Sequence, residues 1–392
     1  MFCIMVEQVI KTFKEKYASM PSVYKSPGRV NILGEHTDYN EGFVLPAAID
    51  KAIYVAISRR TDNRVCMYAA DYDQSFECNT DNISPITNSW TNYILGVVDQ
   101  LLRRNYQLSG FNLVIDGDIP IGAGLSSSAA VECATAFALN DLFSLGLEKL
   151  EIVKIARSAE HEFAGVKCGI MDQFASVFGK KDHVIKLDCR SLEYQYIPLH
   201  LEDVRIVLFN TNVKHNLAAS EYNIRRAECE RGVALIKAHH PGVQSLRDVS
   251  PRMVSEYLSS EETIQKRCQY IVEENGRLLS ACEDLKNGNL MGLGKKMFLT
   301  HHGLSRYFEV SCRELDYLVD TVRDKPGVIG ARMMGGGFGG CTINLVKTAF
   351  IEQLVEDISE KYEVKTGLPL SAYVAEIQNG TSPVAQVHQL PV

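Results

Sequence analysis

The sequence has no Cys-x-x-Cys pair, although it contains 11 cysteines, and their number is odd. That scatter excludes a disulfide framework and a structural zinc cluster, and predicts reduced core thiols in a cytoplasmic protein. No apolar run approaches the length of a membrane helix. The opening Met-Phe-Cys-Ile-Met-Val is apolar, but Glu7, Lys11, Lys14 and Lys16 interrupt it at once. It is too short for a secretory core segment and lacks the charged stretch that should precede one. A surplus of positive charge is also missing, since 41 Lys and Arg stand against 48 Asp and Glu, for a formal charge of −7. Binding to nucleic acid or to an anionic membrane needs a concentrated basic surface, so neither is expected. There is no internal repeat and no low-complexity tract.

What is present is an ordinary globular composition, 46% hydrophobic and 23% charged. A chain of 392 residues can bury roughly 75% of the surface its unfolded form exposes, so it needs no staple of disulfide or metal. Residues 5–17 carry Met5, Ile10 and Phe13 among polar neighbours, the pattern of an amphipathic helix. Val30–Leu33, Ala52–Ser58 and Phe111–Ile115 read as strands separated by Gly, Asp and Asn turns. Alanine-rich Ala129–Phe143 reads as a buried helix, and Leu147–Phe163 as a second, with Leu150, Val153, Ala156 and Phe163 along one stripe. A further helix begins near Gly169, where Ile170, Phe174 and Val177 recur at helical spacing. Val204–Phe209 reads as a buried strand, residues 221–290 as charged and largely helical, and Val328–Met334 and Cys341–Val346 as strands around a glycine-rich turn. Strands and helices mix without strict βαβ alternation, which predicts an α+β fold. We expect two lobes, 1–200 and 201–392, divided near residue 200.

Three glycine-bearing segments carry the chemistry. The first is Ile119-Pro-Ile-Gly122-Ala123-Gly124-Leu125-Ser126-Ser127-Ser128-Ala129-Ala130, between a strand and the alanine-rich helix. Its glycines permit a tight bend, and free N–H groups at the helix start favour an anion such as phosphate. Three serine hydroxyls add donors and can ligate a phosphate-bound magnesium ion. A plain serine N-cap is the structural alternative. No lysine follows the glycines, so this is not a Walker A loop, and Ser127 stands where a Rossmann fingerprint needs its third glycine. Gly124-Leu-Ser126-Ser127-Ser128 also fails as a nucleophile elbow. The second segment, Gly335–Gly340, opens no helix, so it is no dinucleotide fingerprint. Five glycines in six residues are costly to order, which predicts a close approach of backbone to a ligand or to another loop. The third segment, Pro27–Asn40, leads a short strand into Glu35, His36, Asp38 and Asn40. Such a cluster of donors and acceptors suits a polyhydroxyl ligand, with a metal site and a solvated turn as competing readings.

Two carboxylates stand out beyond these segments. Glu160 falls on the apolar stripe of its helix, where a charge is costly unless it is paired or bound to a cation. Asp172 falls in the first turn of the helix after Gly169, where the helix dipole favours its charge and where it can accept a proton from a hydroxyl held before it. His161-Glu162-Phe-Ala-Gly165 ends in glycine, so no zinc-protease motif is present.

Taken together, these segments resemble the galactokinase family of the GHMP small-molecule kinases. Gly28–Asn40 is similar to the family's sugar signature, Pro120–Ala129 to its phosphate loop and Met333–Cys341 to its third motif, while Cys168–Gln173 and Ser220-Glu-Tyr222 agree as well. The resemblance implies two α+β lobes with the active site in the cleft between them, and transfer of phosphate from ATP to the anomeric hydroxyl of galactose. It implies Asp172 as general base and Arg29 beside it, stabilising the transition state. It assigns galactose to Glu35, His36, Thr37, Asp38, Gly169, Asp172 and Tyr222, and the ATP phosphates to Gly122, Ala123, Gly124, Leu125, Ser126, Ser127 and Ser128. Ser128 and Glu160 are the implied magnesium ligands, and a monomer is expected. A kinase of the same fold acting on N-acetylgalactosamine, or a non-catalytic sensor of sugar and ATP, would share much of this pattern. Ser126–Ala129 is complete, whereas sensors are expected to lose part of that loop. Two departures from the family pattern are Met334 in place of threonine and Ser305-Arg306-Tyr307-Phe308 in a stretch where acidic residues are common. Neither is expected to touch the base, the sugar cluster or the phosphate loop.

Overall fold

The strand Pro46–Arg59 lies at the centre of the larger sheet, and its alternation sorts two cores. Ile53, Val55 and Ile57 enter the main core, while Ala52, Tyr54 and Ala56 meet the N-terminal helix Phe2–Tyr17 on the opposite face. A computed structural model describes residues 2–87, 89–120, 122–213 and 218–384, without the side chains of 2, 3 and 218–220. Ile121 of the serine loop, and the side chain of Ser220, therefore lie outside the described residues.

Six strands form the first sheet in the order Ser382–Pro383, Ser22–Asn31, Pro46–Arg59, Phe111–Gly117, Arg64–Ala69, Gln74–Asn79. Only Arg64–Ala69 and Phe111–Gly117 run parallel; the other neighbours are antiparallel. The helix Ser127–Phe143 lies across this sheet with Ala129, Ala130, Ala134, Ala136 and Ala138 fully buried. Methyl side chains let the helix approach the strands closely and carry its N-terminus to the end of Ser22–Asn31. The second sheet is antiparallel, in the order Val328–Met333, Cys341–Lys347, Val204–Asn210, Ser371–Ala375. Helices Arg313–Val322 and Ile351–Thr366 cover one face through Leu318, Val322, Leu354 and Ile358. The main core runs unbroken from Val55 and Leu113 of the first sheet to Ile206, Leu208, Ile343 and Leu345 of the second. A three-stranded sheet (Phe43–Val44, His183–Asp188, Tyr194–Pro198) and the helices Ala218–Lys237, Pro251–Tyr257, Glu262–Lys286 and Leu290–Gly303 complete the site's surroundings. The segment after Ala375 returns to the first sheet, where Ser382 and Pro383 pair with Lys25 and Tyr24. Among the described residues no helix is long and apolar enough to cross a membrane.

Three expected elements differ in detail. The helix expected over Leu147–Phe163 ends at Ala159 and passes into a π-helical turn, Glu160–Ala164, closed by Gly165 at φ 74°. The strand expected at Val30–Leu33 is the end of the longer Ser22–Asn31; Ile32 and Leu33 instead exchange backbone hydrogen bonds with Leu45 at 3.0 and 3.1 Å. The first helix starts at Phe2 rather than Met5.

Asn31 and Ile32 present their carbonyls to Arg332, the largest fully buried side chain. Its Nε donates to Ile32 O at 2.8 Å, Nη1 to Met333 O at 2.6 Å, and Nη2 to Asn31 O at 2.5 Å and Glu35 Oε1 at 3.0 Å. Removing one partner of a buried ion pair leaves the other uncompensated, so Arg332→Ala should lower the unfolding free energy by about 3–5 kcal/mol. Urea denaturation checks this, and an unchanged midpoint would show that Glu35 is solvated there.

Candidate active site

A bulge displaces the register of Ser22–Asn31 between Pro27 and Arg29, directly beside the serine loop. A Cβ on Gly28 would stand 2.8 Å from Leu125 O, so glycine lets the two segments touch. Beyond the bulge, Arg29 N–H donates to Leu125 O at 3.1 Å and its guanidinium turns onto Asp172. The contact is a two-pronged fork, Nε to Oδ1 at 2.8 Å and Nη2 to Oδ2 at 2.9 Å, while Nη1 donates to Gly124 O at 2.6 Å. Ser126 Oγ donates to Asp172 Oδ2 at 2.5 Å, so this serine does not cap the helix that follows; it sits at φ 58° with its hydroxyl on the carboxylate. Gly122 and Gly124 take φ 75° and 73°, the left-handed region that favours glycine. Ala123 and Leu125 are buried in the core and anchor the loop from below.

The third motif provides the roof. Gly335–Gly340 passes between the serine loop and the helix Ala218–Lys237: Gly335 abuts Gly124, Gly336 abuts Tyr222, and a Cβ on Gly337 would lie 2.1 Å from Val310 O. The expected close approach is therefore to other loops. Glu35 Oε1 accepts from Gly335 N–H at 2.8 Å, which ties this roof to the sugar signature. The helix Glu262–Lys286 holds that signature from behind. Tyr270 OH donates to Glu35 O at 3.0 Å, Glu274 Oε1 accepts from Gly34 N–H at 2.9 Å, and Asn275 Oδ1 accepts from Phe43 N–H at 2.9 Å.

His36 adopts φ 62° and is enclosed by the rings of Phe308, Tyr222 and Tyr39 at 4.8, 5.1 and 5.8 Å. Burial lowers its pKa to about 4, so the ring is neutral. Gly336 O can only accept, which places the proton on Nε2 (3.3 Å), and Nδ1 accepts from Tyr39 OH at 2.8 Å. Burial, and next the charge of Asp172, raises Asp38 to about 6. Gly169 is flush against that carboxylate, since a Cβ there would fall 1.7 Å from Asp38 Oδ2. Arg29, Glu35, His36, Asp38, Asp172 and Tyr222 line one cavity of about 220 Å³ with Glu160, Cys168, Met171 and Gly336. That volume is below the range typical of drug-sized ligands and suits a small polar molecule. A larger cavity of about 610 Å³ near Lys181, Arg205 and Ile377 contains none of the predicted residues.

Ser128 Oγ donates to Glu160 Oε1 at 2.9 Å, which unites the two predicted magnesium ligands at the helix start. Both are hard oxygen donors of the kind magnesium prefers. Burial, then the charge of Asp172, pushes the Glu160 carboxyl up. At the far end of the π-helical turn, Phe163 and Ala164 border a cavity of about 700 Å³ with Tyr72, Pro85, Ile86, Trp90 and Tyr93. Burial and the neighbouring Glu160 carboxylate raise the Tyr93 phenol to about 12.

The structure thus gathers Arg29, Glu35, His36, Asp38, Asp172, Tyr222, Gly169, Ser126, Ser128 and Glu160 around one cleft. Thr37 is not among them: it is fully buried, and its hydroxyl lies 2.8 Å from Gly34 O and 2.5 Å from Phe43 O. Asn40 likewise turns inward, donating from Nδ2 to His36 O at 2.9 Å. The expectation that Ser305–Phe308 stays clear of the sugar cluster is corrected by Phe308, whose ring packs on His36. Met334 is also close, with its carbonyl 3.7 Å from a Cβ built on Gly124. The sequence did not single out Tyr39, Arg332 or the Trp90 cavity. Tyr39 was legible as part of the signature loop; the rest act through contacts distant in sequence.

Family models match three stretches of the chain. The galactokinase galactose-binding signature covers residues 11–59, the GHMP kinases N terminal domain 92–180 and the GHMP kinases C terminal 281–364. A galactokinase of Thermotoga petrophila is 45% identical over 92% of this chain and 99% of its own. A galactokinase of Fusobacterium nucleatum is 42% identical over 97% and 100%. The crystal structure of Lactococcus lactis galactokinase complexed with galactose superposes with a TM-score of 0.93, at 35% identity over 97% of this chain and 100% of that one.

The raised pKa of Asp38 is open to direct measurement. Carbon-13 NMR of labelled aspartate carboxyls should show one resonance, lost in Asp38→Asn, that titrates with a midpoint of about 6. A midpoint near 4, the ordinary aspartate value, would mean that water reaches this carboxylate.

Proposed function

The chain belongs to the galactokinase family of the GHMP kinases, and from that premise we propose that it transfers the γ-phosphoryl group of ATP to the anomeric hydroxyl of galactose. The observation that carries this reading is the fork from Arg29 to Asp172, set between a polar cavity of sugar size and the serine loop. Asp172 accepts the anomeric proton as the sugar oxygen bonds to the γ-phosphorus and the bond to the β-phosphate oxygen breaks. The products are galactose 1-phosphate and ADP. Arg29 orients Asp172 with two N–H groups and adds positive charge where the transferring group gains negative charge. The chain's task is mainly alignment and charge neutralisation, as in phosphoryl transfer generally.

Glu35, His36, Asp38 and Tyr222 supply donors, acceptors and a ring face for the sugar, and Thr37 keeps their loop in shape. Gly122–Ser128 receives the phosphates on backbone N–H groups and the helix N-terminus. The adenine enters the aromatic cavity at Trp90 and Tyr93, where ring stacking favours a flat base. Ser128 and Glu160 would hold magnesium with the nucleotide. When bound, the ion neutralises phosphate charge. Every cysteine described is a free thiol, in keeping with a reducing cytoplasm. We read the working unit as a monomer with lobes dividing near residue 200, corrected in that the segment after Ala375 crosses back to the first sheet.

General-base catalysis contributes about 10²–10⁴-fold, so Asp172→Asn should slow galactose-dependent ADP release by that factor while calorimetry still detects galactose binding. Full activity in the variant would sink the base assignment. Trp90 is the sole tryptophan, and its fluorescence should change on adding ATP but not on adding galactose alone. An unresponsive signal would place the adenine elsewhere.

A further inference from the structure

The helix Ser127–Phe143 buries a carboxylate that the mechanism above leaves unused. Glu132 is fully buried four residues after Ser128, on the same helix face. A carboxylate so placed is costly unless it is bonded, and its Oε2 accepts from Gln173 Nε2 at 3.2 Å. The same nitrogen donates to Glu160 Oε2 at 2.6 Å. A carboxamide nitrogen carries two hydrogens, so both are occupied, one by each glutamate. Gln173 Oε1 and Glu132 Oε1 are buried with no hydrogen-bond partner, so the two carboxylates hold the nitrogen side of the amide toward Glu160, with the Cys168 sulfur as a weaker acceptor at 3.9 Å. The Cys168 thiol also donates to Glu160 Oε2, at 3.3 Å. Oε2 thus takes both inner donors, and Oε1 is the oxygen that meets Ser128.

We propose that Glu132 is a positioning residue: by fixing the Gln173 amide, it makes Glu160 present one oxygen, Oε1, to the magnesium ion beside Ser128. The proposal rests on Glu160 being a magnesium ligand. Magnesium demands near-ideal octahedral geometry, so a carboxylate that swings or turns bidentate binds it less well. Glu132 and Gln173 touch neither sugar nor phosphate in this reading, so their effect falls on the cation alone.

The test uses Mn²⁺ as a spectroscopic stand-in, measuring its capture by the enzyme–ADP complex by electron paramagnetic resonance, with galactose affinity measured in parallel by calorimetry. Losing an outer partner of a metal ligand typically costs 10–100-fold in affinity, and we expect about that loss of Mn²⁺ capture in Glu132→Met and in Gln173→Met. The double variant should be no weaker than either single one, since the two side chains act in series. Galactose affinity should stay at the wild-type level, and Glu132→Gln, which keeps an acceptor oxygen, should restore Mn²⁺ capture. Unchanged Mn²⁺ capture in the Met variants overturns the proposal, as does a parallel fall in galactose affinity, which would indicate general packing damage. If Glu132→Met does not fold, Gln173→Met decides by the same criteria. Glu160→Gln separates the two levels: if it captures Mn²⁺ as wild type does, the ligand assignment itself fails; if it loses Mn²⁺ while the Met variants do not, only the positioning role fails.

Discussion

One guanidinium joins the parts of this molecule that must meet for chemistry. Arg29 lies just after a bulge in a central strand, is almost fully buried, and divides its donors between Asp172 and the Gly124 carbonyl. Lysine could not replace it, because a single ammonium cannot hold both carboxylate oxygens in one plane and still reach the loop. The strand sets the position of the arginine, the arginine sets the carboxylate, and Ser126 adds a third donor to the same carboxylate. Proton acceptor and serine loop are thereby fixed relative to each other before any ligand arrives.

The sugar pocket depends on a second set of buried polar bonds. The signature loop belongs to the N-terminal half, yet it is held by Tyr270, Glu274, Asn275 and Arg332 from the C-terminal half. Tyr270, Glu274 and Asn275 occur at helical spacing on one helix, so one rigid element grips three points of the loop. Glu35 shows the economy of the arrangement: its backbone carbonyl and one carboxylate oxygen serve structure, and Oε1 alone binds both Arg332 and Gly335. Low-dielectric surroundings strengthen such bonds and make unpaired members costly, which favours a single loop geometry.

Much of this was legible in the sequence, for identifiable reasons. The strand Phe111–Gly117 and the middle of the helix Ser127–Phe143, from Ala129 to Leu139, are mostly buried, so local composition reveals them. The positive-φ glycines of the serine loop and the third motif advertise backbone geometry that other residues rarely adopt. Asp172, Glu160 and the signature cluster were recognisable as charges in unusual places. The inward turn of Thr37 was not, because a hydroxyl gives no sign of whether it faces a ligand or a carbonyl. The π-helical turn at Glu160–Ala164 also escaped, since its five-residue step resembles an ordinary helix in composition. Phe308 looked remote for a simple reason: its partner His36 is far away along the chain, and only folding brings the rings together.

The return of the chain to the first sheet has a consequence for biosynthesis. Thr381 meets Ser26 across a separation of 355 residues, and Ser382 pairs with Lys25. The edge of the sheet at Tyr24 and Lys25 therefore stays open until residues 381–383 have been synthesised, however early the other strands assemble. Contacts this distant slow folding, and an unpaired strand edge is a template for association with other chains. Until residues 381–383 are made, that short stretch of edge is open to pairing with another chain.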